Sequence, residues 1–275
     1  MTHPARCRIG GVEFGGERLS IIAGPCMAES LDLCLQIAET VKTICETLQI
    51  GYVFKASFDK ANRSSVQSVR GPGLETGLEW LAKVKEQLDL PVLTDIHEPR
   101  QAASTAEVVD ALQIPAFLAR QTDLVVAAGE TGKTVNVKKG QFMAPWDMEN
   151  VVEKIKSTGN QKILLTERGT FFGYNRLVSD MRAIPQMQQY APVVFDATHS
   201  VQQPGGLGKA SGGDREFVPT LAGAAIAAGA DALFLETHPR PDEAKSDAAS
   251  QLALDNFESV LKRCLAIRQA AAYTS

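Results

Sequence analysis

The chain has 275 residues, 44% of them hydrophobic and 22% charged, with a formal net charge of −4. This balance supplies a substantial core, offers no basic field to gather a nucleic acid, and includes no run of about 18 apolar residues to span a membrane. The start, MTHPARCRIGG, predicts no secretory signal, and five scattered cysteines predict a reducing, cytoplasmic setting instead of a disulfide framework.

Residues 7–19, CRIGGVEFGGERL, read as a small β-hairpin. Eight short apolar runs come next: Leu19–Gly24, Gly51–Lys55, Pro91–Asp95, Ala111–Pro115, Thr134–Lys138, Lys162–Thr166, Pro192–Asp196 and Ala232–Glu236. Amphipathic stretches lie between several of them, such as LETGLEWLAKVKEQLDL and WDMENVVEKIKSTG, the second bounded by Pro145 and Gly159. Apolar strands alternating with helices imply a parallel sheet covered by helices. Eight such units in this length predict an α/β fold, a single (β/α)8 TIM-barrel domain over residues 1–275, with the hairpin closing its N-terminal end. An open doubly wound sheet is the runner-up, but no Gly-x-Gly-x-x-Gly comes after the first run. Gly205–Gly213, GGLGKASGG, reads as a loop of the kind that serves as a lid.

The chemistry collects just after the apolar runs. In chain order these positions bring Cys26, then Lys55 with Lys60 and Arg63, then Asp95, His97 and Glu98. Arg120, Lys138, Glu167 with Arg168, Asp196 with His199, and Glu236 with His238 come after them. In a barrel these C-terminal ends converge on one pocket. A single polar strand end means only that it meets solvent; so many large charged groups in turn point to a site. The cations Lys55, Lys60, Arg63, Arg120, Lys138 and Arg168 would repel one another, so anionic ligands are expected, with some cations paired to Asp95, Glu98 and Glu167. Cys26, His199, Glu236 and Asp247 make a reasonable donor set for zinc, iron, manganese or cobalt. The residue types alone fit a buried cysteine and a hydrogen-bonded histidine better than a metal site.

Ordered segments from Ser20 to Leu254 carry a resemblance: IIAGPCMAES, FKASFDKANRSS, PVLTDIHEP, LQIPAFLARQTDL, VNVKKGQFMAPWDM, LTERGTFFGYNRLVSDMRAIP, FDATHSVQQPGG and KSDAASQL. The chain resembles the 3-deoxy-D-manno-octulosonate 8-phosphate synthases and, more distantly, the deoxy-arabino-heptulosonate phosphate synthases. The resemblance implies a homo-oligomer, usually a tetramer, that joins phosphoenolpyruvate to arabinose 5-phosphate for lipopolysaccharide sugar synthesis. It implies that Asn62, Arg63 and Ser64 grip the arabinose 5-phosphate phosphate, on a loop that serves a neighbouring subunit's site. The heptulosonate enzymes resemble Lys-Pro-Arg-Thr-Ser there instead.

The same resemblance assigns the phosphoenolpyruvate phosphate to Lys138, Arg168 and the backbone at Ala116, and its carboxylate to Lys60, with Lys55 and Gln141 nearby. Ser57, Asp95 and Gln113 line that pocket; on chemical grounds, His199 and Asp247 are expected to transfer protons near the metal and His97 near the phosphoenolpyruvate end. Members with cysteine after the first strand depend on a divalent metal. Cys26, with His199, Glu236 and Asp247, places this chain among them.

Overall fold

A computed structural model describes residues 6–63, 65–205 and 212–272. Ser64 and most of the Gly205–Gly213 loop therefore lie outside the described residues. The chain opens with β1 (Cys7–Ile9) and β2 (Val12–Phe14), paired antiparallel. The repeating part then runs β3 (Ser20–Gly24), α1 (Leu31–Leu48), β4 (Gly51–Lys55), α2 (Leu74–Leu88), β5 (Val92–Asp95), α3 (Ala102–Val108), β6 (Ala111–Ile114) and α4 (Thr122–Glu130). It continues with β7 (Thr134–Lys138), α5 (Met148–Lys156), β8 (Ile163–Glu167), a short pair β9 (Thr170–Phe171) and β10 (Leu177–Val178), α6 (Ala183–Met187) and β11 (Val193–Asp196). Last come α7 (Ala197–Ser200), the pair β12 (Gln202–Gln203) and β13 (Gly212–Gly213), α8 (Val218–Ala227), β14 (Ala232–His238), β15 (Leu252–Ala253) and α9 (Phe257–Ala272).

Strands β3, β4, β5, β6, β7, β8, β11 and β14 lie side by side in chain order, all parallel, and β14 pairs with both β3 and β11. The sheet is thus closed into an eight-stranded barrel. Each apolar run of the sequence is one of its strands, displaced at most by a residue or two at the ends. Every residue of β6, β7, β8, β11 and β14 is buried, which explains why they read as continuous apolar runs without alternation. The helices cover the outside. α1 is capped by the Ser30 side chain, which accepts from the Leu33 N–H, and Cys34 and Cys45 lie on its buried face. α2 buries Leu78, Leu81 and Val84.

Alternate residues of each barrel strand face inward. At the N-terminal end the inward residues Ile22, Val53, Leu93, Ala111, Leu164, Val194, Ala232 and Phe234 form one apolar cluster with Cys7, Ile9 and Phe14 of the hairpin. The Thr134 hydroxyl donates to the Arg8 carbonyl, tying β1 to the start of β7. One glycine is dictated by close approach: a Cβ on Gly24 would sit 2.0 Å from the Lys55 carbonyl oxygen, so β3 and β4 meet this closely just before Cys26 only with glycine there.

Candidate active site

Two residues above the apolar layer, the same inward parity delivers Lys55 from β4, Asp95 from β5, Gln113 from β6, Lys138 from β7, Asp196 from β11 and Glu236 from β14. Because the strands are parallel, these ends open on one side. There a cavity of about 510 Å³ is lined by Lys55, Lys60, Asn62, Arg63, Asp95, Gln113, Ala116, Lys138, Gln141, Arg168, His199, Glu236 and Asp247, among others.

The cationic wall is built from paired groups with spare donors. Lys138 forms an ion pair with Asp196, and its Nζ lies 3.5 Å from the centre of the Phe234 ring. Burial lowers the Lys138 pKa while Asp196 opposes that shift. Burial would raise the Asp196 pKa, but His199 and Lys138 hold it far below the carboxylate range, so the pair is ionic. Arg168 donates through Nη2 to Gln202 Oε1 at 2.8 Å, while its buried Nη1 has no hydrogen-bond partner among the described residues. The Gln141 side-chain oxygen is likewise buried without one among the described residues. Lys55 Nζ is held by Glu236 Oε1 at 3.0 Å, Ser57 Oγ at 2.9 Å and the Cys26 carbonyl at 3.2 Å. Burial works against the Lys60 ammonium, yet Cys26, Glu236, Asp95 and Asp247 keep its pKa above the ordinary value. A buried guanidinium with a free N–H and a lysine held in its charged form suit an anionic ligand.

Beside them is a compact donor cluster. One ligand atom each of Cys26, Glu236 and Asp247 lie within 4.8 Å of one another. The Cys26 Sγ is 3.2 Å from Asp247 Oδ2, and His199 Nε2 is 3.6 Å from both Glu236 Oε2 and Asp247 Oδ2. Ligands around a tetrahedral ion with bonds of 2.0–2.3 Å are separated by roughly 3.3–3.8 Å, which these three distances approach, although His199 falls outside the group whose donor atoms all lie within 4.8 Å of one another. Glu236 Oε2 is buried and has no hydrogen-bond partner among the described residues, an acceptor left for a cation. Burial raises the Cys26 thiol well above its usual pKa, and the carboxylates of Asp247 and Glu236 add to that. His199 is fixed through Nδ1 on Asp196 Oδ2 at 2.7 Å, which leaves Nε2 facing the cluster. The residues present therefore fit a divalent ion.

Not every candidate lines the cavity. Ser57 and His97 stand behind Asp95: the Ser57 hydroxyl donates to its Oδ1, and His97 Nε2 is 3.1 Å from its Oδ2. Arg120, which the sequence marks as a pocket cation, is exposed and does not line the cavity, because the turn at Ala116–Leu118 carries the chain away from the strand end. Glu98 is also off the cavity, paired with exposed Arg100. Glu167 has the outward parity of β8 and meets Lys139 at 3.6 Å behind the wall. Asn62 and Arg63 line the chain's own cavity, and Arg63 donates to Ser246 Oγ at 2.9 Å and to the Lys245 carbonyl at 2.7 Å.

Sequence reasoning misses the groups that hold the others. Asp196 is visible at a strand end, but its grip on both Lys138 and His199 is not. Gln202, Phe234 and Ser246 give no signal, since an amide, an apolar strand residue and a loop serine are ordinary in any sequence.

The chain is similar to known proteins over nearly its whole length. The DAHP synthetase I family matches residues 5–270. The chain is 60% identical over 259 residues to a protein named 2-dehydro-3-deoxyphosphooctonate aldolase from Cyanothece sp., covering 94% of this chain and 95% of that one. Proteins of the same name from Fusobacterium nucleatum (54% identical, 95% of each chain) and Desulfosudis oleivorans (58%, covering 94% and 93%) are similarly close. On both the family match and these full-length likenesses, the chain belongs to the DAHP synthetase I family.

Proposed function

We propose that this chain, acting as one barrel domain, condenses phosphoenolpyruvate with D-arabinose 5-phosphate and water to give 3-deoxy-D-manno-octulosonate 8-phosphate and inorganic phosphate, on the route to a lipopolysaccharide sugar. The observation that carries the reading is the cavity, where Lys55, Lys60, Arg63, Lys138 and Arg168 converge beside a thiol–carboxylate cluster. The name borne by relatives 54–60% identical over nearly the whole chain supports it.

Phosphoenolpyruvate is an enol ester whose carbon-3 is a weak nucleophile, so holding the aldehyde over it supplies much of the rate. In this reading Lys138, Arg168 and the Ala116 backbone bind its phosphate, and Lys60, with Lys55 and Gln141, its carboxylate. Asn62, Arg63 and Ser64 hold the arabinose 5-phosphate phosphate. Carbon-3 attacks the aldehyde, positive charge develops at carbon-2, and water adds there. The hemiketal phosphate then collapses with carbon–oxygen cleavage, releasing phosphate, whose departure the cations stabilise. Asp95 and Gln113 face this space; Ser57 and His97 hold Asp95 in place. His199 and Asp247 are the groups positioned to move protons on the aldehyde side.

Cys26, His199, Glu236 and Asp247 would hold one divalent ion, with zinc, iron, manganese and cobalt all compatible with a thiolate ligand. Bound there, it would supply a Lewis acid that orients or polarises the aldehyde or a water. A lysine Schiff base at Lys55 or Lys138 is unnecessary, because the enol ester provides its own nucleophile.

The proposed setting is the cytoplasm, in keeping with five free, buried cysteines. Among the described residues no helix is long and apolar enough to cross a membrane. The proposed assembly is a homotetramer; exposed Phe142, Trp146 and Phe172 on loops supply apolar surface for it. The deciding experiment is phosphate release from phosphoenolpyruvate with arabinose 5-phosphate or erythrose 4-phosphate as the aldehyde. Arabinose 5-phosphate is expected to be preferred. Preference for erythrose 4-phosphate would make the chain a deoxy-arabino-heptulosonate phosphate synthase, and binding without release would make it a non-catalytic phosphosugar-binding barrel.

A further inference from the structure

We propose that Lys139 and Glu167, a buried pair behind the cavity wall, are positioning residues that hold the loops of Gln141 and Arg168 and thereby set the affinity for phosphoenolpyruvate. The proposal rests on the condensation reaction proposed for this cavity. Each member is the chain neighbour of a cavity cation: Lys139 comes after Lys138, and Glu167 precedes Arg168. The two-residue strand period turns the neighbours to opposite sides, so Lys138 and Arg168 line the cavity while Lys139 and Glu167 do not.

The contacts of the pair fall on the turns that shape the wall. Lys139 is fully buried, and its Nζ reaches the Met143 carbonyl at 3.2 Å, the Thr170 hydroxyl at 3.1 Å, and the Gly140 and Gly169 carbonyls at 3.4 Å each. It meets Glu167 Oε2 at 3.6 Å. Glu167 Oε1 accepts the Arg168 N–H at 3.0 Å and the Gly169 N–H at 2.6 Å, where Gly169 turns the chain at φ +89°. The Phe171 N–H donates to the Gln141 carbonyl at 3.0 Å, joining the two turns directly. One ammonium thus collects oxygens from residues 140–143 and 169–170, and one carboxylate fixes the backbone from which Arg168 projects. Without the ammonium, the Met143 and Gly169 carbonyls would lose this donor and Gly140 would keep only the Met143 N–H at 2.9 Å, so the two turns would be held together less firmly.

Stability alone is a poor reason for such a pair, since apolar residues of similar volume often do as well in its place. Burial pushes the Glu167 carboxyl up and the Lys139 ammonium down, so each ion is held at a cost. Accurate placement of the wall is the return, because a displacement of about 1 Å in a binding group can cost on the order of a hundredfold.

The test is the double variant Lys139→Met with Glu167→Gln, which leaves no lone buried charge and keeps a carbonyl oxygen for the Arg168 and Gly169 amides. Phosphoenolpyruvate binding is measured by calorimetry, alongside KM for each substrate and the melting temperature. The dissociation constant for phosphoenolpyruvate should rise about tenfold or more, while KM for arabinose 5-phosphate moves by less than about twofold. A folded double variant with wild-type affinity for phosphoenolpyruvate would overturn the proposal. Should the double variant not fold, Thr170→Val removes a single contact and should weaken phosphoenolpyruvate binding about threefold; unchanged affinity there would also overturn it. Wild-type protein that binds no phosphoenolpyruvate would overturn the functional reading and this inference together, whereas loss of the variant effect alone removes only the inference.

Discussion

The two ends of the barrel are built from the same eight strands and are both closed to solvent over much of their inner face, yet they bury opposite things. The N-terminal end packs Ile22, Val53, Leu93, Leu164 and Val194 against Ile9 and Phe14 of the hairpin. Two residues further along, β4, β5, β7, β11 and β14 bury Lys55, Asp95, Lys138, Asp196 and Glu236. Apolar burial stabilises by about 25 cal/mol per Å², whereas burying charge is at best neutral unless it is well paired. The lower end therefore supplies the stability that lets the upper end keep ions and unsatisfied groups. Arg168 Nη1, Gln141 Oε1 and Glu236 Oε2 are buried there without hydrogen-bond partners among the described residues. The difference teaches that the upper end is arranged for what it binds and the lower end for holding the barrel shut.

Removing the proposed ion should give the largest effect, confined to the upper end. Chelation is expected to lower turnover on the order of a thousandfold, with the melting temperature little changed and activity restored by a divalent ion. Elemental analysis alongside the assay checks it, and full activity in metal-free protein would break the contrast. Phe14→Ala, at the other end, should cost about 3–5 kcal/mol of stability and leave both KM values of the folded protein unchanged. Denaturant unfolding with parallel kinetics tests this; a raised KM would show that the ends are not separable. Arg168→Ala should lose about 2–4 kcal/mol of phosphoenolpyruvate binding, roughly 30- to 1000-fold, without a comparable loss in unfolding free energy. The smallest effect belongs to Phe234, which packs in the lower cluster and lies under Lys138. Phe234→Leu should cost about 1–2 kcal/mol and appear in stability and in phosphoenolpyruvate KM together. An effect on only one of the two would assign Phe234 to a single end.

Much of this arrangement is legible in the sequence. The eight apolar runs are the eight strands because a strand buried on both faces needs apolar residues throughout, and their polar ends mark where the sheet stops. The same property hides the site's inner geometry. A run without alternation does not reveal its inward parity, so Glu167 reads as a pocket group and Phe234 carries no mark of its place under Lys138. Arg120 reads as a pocket cation because the length of a strand end does not tell which way the next turn leads.

The amino-acid sequence by itself therefore determined the number and order of the strands, the end at which charge collects, and the residue types available for anions and for an ion. Those depend on local composition and on the chain's alternation of apolar and polar segments. Only the tertiary structure decided that Cys26, Glu236 and Asp247 come within 4.8 Å, that Asp196 grips both Lys138 and His199, and that Arg63 reaches Ser246. Such contacts join residues up to about 220 positions apart, and closing the barrel, not any spacing along the chain, brings them together.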